Sequence, residues 1–114
     1  MTTDIDGLWS VEFATSEGRS GAGVLVFADG RVLGGDQRYY LVGDYRVEAG
    51  ELRGRLVATH YAGDSHPALG AGAAAELDLA GRLLRADEMT LRAAPVAALG
   101  PQFFIRLTRR APLR

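Results

Sequence analysis

A chain of 114 residues, 47% hydrophobic and 24% charged, has room for one domain with a modest core and is too apolar to be a disordered tail. The formal net charge of -1 gives no global field toward nucleic acid or anionic lipid, and the lack of cysteine excludes disulfides, thiol catalysis and thiolate metal sites. The opening Met1-Thr2-Thr3-Asp4-Ile5-Asp6 carries neither the basic nor the apolar segment of a secretory signal, and no run reaches the roughly eighteen apolar residues of a membrane span. A cytoplasmic location is expected, with no membrane and no nucleic-acid partner.

Alternation with period two dominates the chain. Trp9, Val11 and Phe13 share one face of a first strand over Gly7 to Phe13. A turn at Ser16-Glu17-Gly18 leads to Gly21 through Phe27, apolar on both faces. Ala28-Asp29-Gly30-Arg31 reads as a tight hairpin because Asp-Gly tolerates positive φ, and Val32 to Gly35 forms a short strand. In the next strand Tyr39, Leu41, Gly43, Tyr45 and Val47 face one way, and Ala49-Gly50 turns the chain back. Leu52, Gly54, Leu56, Ala58 and His60 then face inward against Arg53, Arg55, Val57, Thr59 and Tyr61 outside.

After a loop from Ala62 to Ala73, Ala75, Leu77 and Leu79 alternate with Glu76 and Asp78. Ala80-Gly81 has the composition of a turn, which predicts a seventh strand from Leu83 to Leu91. A second loop, Ala94 to Pro101, precedes a last strand from Gln102 to Arg109, and Arg110 to Arg114 reads as a frayed tail. Eight strands joined mainly by short turns predict an all-β, antiparallel, up-and-down barrel occupying residues 1–114 as a single domain, a closure that removes exposed edges.

No catalytic constellation stands out. His60 and His66 bracket Asp64, but the spacing matches no strong metal motif. His60 reads as an inward core residue with Tyr39 or Tyr45 as its hydrogen-bond partner, and His66 as a solvated loop residue. The serines lack a nucleophile elbow, and the glycine clusters precede no helix that could cradle phosphate. Neither enzymatic activity nor a cofactor or metal is expected. Val24, Val26, Tyr40 and Val42 form an outward apolar set that predicts a homodimer interface.

Gly7-Leu8-Trp9 resembles the Gly-x-Trp element of calycin and lipocalin-like barrels. Asp6 to Phe13, Gly21 to Val24, Asp29-Gly30-Arg31-Val32-Leu33-Gly34-Gly35-Asp36 and Tyr40 to Tyr45 are similar to the GrlR-like family of small bacterial proteins, over residues 6–61. That resemblance implies an eight-stranded lipocalin-like barrel, a homodimer, and negative regulation of type III secretion by binding a transcriptional activator. The Gly-x-Trp likeness implies that Trp9 closes one barrel end beneath a basic residue of the last strand, and Arg109 shares the inward parity of Phe103, Ile105 and Leu107. The acidic partner-binding turn of the family corresponds to Glu48-Ala49-Gly50-Glu51, which keeps two carboxylates, Glu48 and Glu51. The alternative is a barrel that carries or senses a small apolar ligand among Trp9, Leu41, Leu56, His60 and Phe103.

Overall fold

The computed structural model describes residues 5–18, 20–66, 69, 72–96 and 102–113. They form β1 (Gly7–Thr15), β2 (Ser20–Ala28), β3 (Arg31–Gly35), β4 (Tyr39–Glu48), β5 (Glu51–His60), β6 (Ala74–Arg85), β7 (Glu88–Pro95) and β8 (Phe103–Pro112). Each strand pairs antiparallel with its neighbour in sequence, and β8 returns to β1, so the eight strands make a closed up-and-down barrel. Residues 97–101, within the second expected loop, lie outside the described residues.

The period-two pattern sets which face is buried. In β5, Leu52, Leu56 and Ala58 are buried while Arg53, Arg55 and Val57 between them are exposed. The same alternation places Trp9, Phe27, Val32, Met89 and Leu107 in the interior, all completely buried. The core is one continuous cluster along the barrel axis.

Two hairpin turns follow directly from local backbone chemistry. Asp29 and Gly30 have φ of 48° and 82°, and Ala49 and Gly50 have 53° and 79°, the paired left-handed conformations that match the twist of the flanking strands. Each turn therefore fixes a register: Phe27 opposes Val32, and Val47 opposes Leu52.

The structure corrects the sequence reading at the third hairpin. Ala80-Gly81 lies inside a twelve-residue β6, and the chain turns at residues 86–87 instead. Gly81 serves close strand approach, because a Cβ there would stand 2.1 Å from the Thr90 carbonyl oxygen. A register shift between Leu83 and Arg85 makes Leu84 an extra residue and turns it outward, half-exposed. The tail is also more ordered than expected: β8 continues to Pro112, pairing with Gly7.

Ala49 is a non-glycine residue held in the left-handed region on an exposed turn. Replacing it by Asn, which tolerates that conformation, is expected to stabilise the barrel by about 0.5–1 kcal/mol, whereas Ala49→Val is expected to destabilise it by a similar amount or more. Urea denaturation followed by Trp9 fluorescence measures both.

Candidate functional site

One barrel end is closed by a small polar and aromatic assembly. Trp9 and Arg109 are paired residues of β1 and β8, and the guanidinium carbon stands 5.8 Å from the indole centroid. Arg109 faces inward by the same alternation as Ile105 and Leu107, and the register shift beside it leaves Arg110 unopposed in β8. Arg109 donates a hydrogen bond to the Asp6 carbonyl, and its Nε is buried with no hydrogen-bond partner among the described residues. The Trp9 indole N–H donates to the Ile5 carbonyl at 2.9 Å. The Asp6 carboxylate accepts from the Tyr45 hydroxyl at 2.9 Å and from the Asp29 amide at 3.1 Å, tying the β1 entry to β4 and to the β2–β3 turn. Phe27 bridges the layer, edge-on to both Trp9 and Tyr45.

The opposite end is plugged by residues of the β5–β6 connection. His66 is 8% exposed, contrary to the solvated position expected from its loop, because its ring packs against Phe13 and Phe103. Its backbone N–H donates to the Tyr39 hydroxyl at 2.8 Å. The Tyr39 hydroxyl expected for His60 accepts this bond from His66, and the Tyr45 hydroxyl is at the far end on Asp6. His60 is half-buried opposite Tyr39 with ring centroids 5.1 Å apart, and its Nε2 has no hydrogen-bond partner among the described residues. His60 and His66 therefore flank Tyr39 rather than a common centre, and no three His, Asp or Glu side chains converge on a metal-sized position among the described residues.

Between this plug and the core lies a pocket of about 80 Å³ with an almost wholly apolar lining. Leu41, Leu56 and Phe103 line it, together with His66 and Tyr39. Trp9 and His60, expected beside Leu41 and Leu56 in a ligand site, are not among its walls. An apolar cavity that holds benzene measures about 150 Å³, and drug-sized ligands need roughly 300 Å³ or more. Most of the interior is filled by side chains.

The exterior carries two unlike kinds of surface. Direct cross-strand partners Leu8↔Val26, Val26↔Leu33, Leu33↔Val42 and Val42↔Val57 form an unbroken aliphatic belt over β1 to β5. Leu8, Leu33, Val42 and Val57 are 37–41% exposed, Val26 is half-buried, and Val24 and Tyr40 extend the belt at 48% and 47%. Leu8, Leu33 and Val57 are added to the set expected from the sequence, and Glu76, opposite Val57, ends the belt. The other kind is charged. Arg55 donates to Asp78 at 3.0 Å and stands 3.5 Å from Glu76, and the hydrogen bond to Asp78 holds its guanidinium still more firmly in the charged form. At the β4–β5 turn Glu48 lies 3.5 Å from Arg46 and Glu51 3.5 Å from Arg82. The turn's two carboxylates are thus exposed but each has a basic neighbour.

No family model and no curated protein matches the chain. Among solved structures it is similar to a redesigned β-barrel, 13% identical, with a TM-score of 0.70 over 96% of this chain and 97% of that one. The likeness establishes the eight-stranded antiparallel barrel as the fold of the chain.

The closed end gives a direct expectation. Arg109→Ala removes the cation over the indole and the bond to Asp6, and should cost about 1–2 kcal/mol and red-shift Trp9 emission. Arg110→Ala loses only an exposed bond to Ser10 and should change neither, which equilibrium unfolding and fluorescence spectra of the two variants will show.

Proposed function

We propose that this protein is a non-enzymatic binding module whose working surface is the outside of the barrel, and that it pairs with a second copy through the aliphatic belt. The observation that carries the reading is the run Leu8, Val26, Leu33, Val42 and Val57 across five adjacent strands, with no charged side chain in it. A continuous exposed apolar surface marks an interaction site in a folded protein. A twofold axis can press part of the belt of one copy against the same part of another. Each roughly 100 Å² of apolar surface withdrawn from water contributes about 2.5 kcal/mol, and the roughly 4–15 kcal/mol lost on association sets how much must be covered.

The resemblance over residues 6–61 supports a regulatory role of the GrlR-like type, in which the paired barrels bind a transcriptional activator rather than DNA, in the cytoplasm. In that role the turn bearing Glu48 and Glu51 is the contact for the activator, with Arg46 and Arg82 reducing its negative field. A second reading, a carrier or sensor of a small apolar molecule, is favoured by the pocket beside Leu41, Leu56 and Phe103. Its volume of about 80 Å³ restricts such a ligand to a few heavy atoms unless the His66 plug moves.

Sedimentation velocity at micromolar concentration tests the pairing. The unmodified chain is expected to run as a dimer, and Leu33→Glu combined with Val42→Glu as a monomer with unchanged Trp9 fluorescence. A monomeric unmodified chain would remove the basis of the proposal.

A further inference from the structure

The charged part of the exterior contains a trough that the belt does not use. We propose that it binds an acidic peptide segment in extended form. The trough has an open volume of about 1170 Å³ and runs across the strands from β5 to β2. Its floor is the outward side of the backbone at Gly81, Leu91, Ile105 and Phe13, whose register aligns them in one transverse row. The walls are the outward side chains of the rows on either side.

Strand register places one arginine on each of four successive strands. Arg53↔Ala80 and Ala80↔Arg92 put Arg53 and Arg92 on one wall. Arg82↔Thr90 and Thr90↔Arg106 put Arg82 and Arg106 on the other. The four are exposed and alternate between the walls from β5 to β8. Arg53, Arg92 and Arg106 have no ion pair among the described residues, whereas Arg55, on the neighbouring row, is engaged by its own acids. Arg92 stands over the exposed ring of Phe104, 6.0 Å from its centroid, which presents a guanidinium already positioned in the trough.

The spacing selects the class of ligand. Strands lie about 4.8 Å apart, so the basic stretch from β5 to β8 spans about 14 Å, the length of four or five extended residues at about 3.3 Å each. Side chains of an extended peptide alternate, so a short acidic run presents carboxylates to the arginines of both walls. Glu51 opposite Arg82 and Glu12 opposite Arg106 set a carboxylate at each end of one wall. These ends admit a short acidic run and repel a polyanion that continues past them, so a peptide fits better than a nucleic-acid strand.

Fluorescence anisotropy tests the assignment with three labelled probes: the peptide Gly-Asp-Glu-Asp-Glu-Asp-Gly, its Asn/Gln counterpart, and a short oligothymidylate. The acidic peptide is expected to bind saturably, weaken as salt is raised, and outcompete the other two. Arg92→Glu combined with Arg106→Glu should weaken it at least about tenfold, while Arg110→Glu, outside the trough, should leave it within about twofold. Circular dichroism and Trp9 emission check that the variants fold, and single Arg92→Gln and Arg106→Gln replace the double variant if it does not. Equal binding of the neutral peptide, tighter binding of the oligothymidylate, or indifference to the arginine changes would overturn the proposal.

Discussion

Antiparallel pairing of β1 with β8, from Gly7↔Pro112 to Thr15↔Phe103, is the constraint on which the remaining structure depends. It joins the two ends of the described chain, leaves every strand with two partners, and turns a sheet with one apolar face into a vessel with an inside and an outside. Trp9 and Arg109 sit on that seam, and Asp6 links the seam to β4 and the β2–β3 turn. Loss of the seam would expose two edges and open the layer that Trp9 and Phe27 close.

Closure at eight strands also limits what the interior can do. A barrel of this size has space for core side chains or for one small ligand. Here Trp9, Phe27, Leu52, Met89 and Leu107 occupy most of it, and His66 with Phe13 and Phe103 caps the end that retains a pocket. The outer surface, by contrast, is organised over distances that a partner can read: an aliphatic belt on one side and an arginine-walled trough on the other. Both surfaces are products of the same register, since a shift of one residue would send Leu33 and Arg92 inward.

The fold was legible in the sequence wherever a turn declared its geometry. Asp29-Gly30 and Ala49-Gly50 are two-residue turns, and counting outward from them places Leu33 opposite Val26 and Val57 opposite Val42. All of the belt but Leu8 was therefore available from the sequence once the two hairpins were laid side by side. The trough was not, because its arginines are positioned by the β6–β7 hairpin, where Arg85-Ala86-Asp87-Glu88 has no glycine and Gly81 mimics a turn. Gly81 is a glycine for want of space against Thr90, a requirement created by the partner strand. His66 escaped for a similar reason: its burial comes from Phe13 and Phe103, distant in sequence, and a local reading of a loop between Asp64 and Pro67 suggests only solvent.

The outside of the barrel is proposed as the surface that meets other molecules, and methyl cross-saturation in a mixture of deuterated, methyl-labelled chain and protonated chain addresses this most directly. Saturating the protonated copies should attenuate the signals of Leu8, Val26, Leu33, Val42 and Val57 and leave those of the interior Leu52, Leu56 and Leu107 at full height. Full-height belt signals, or attenuation confined to the interior, would contradict it.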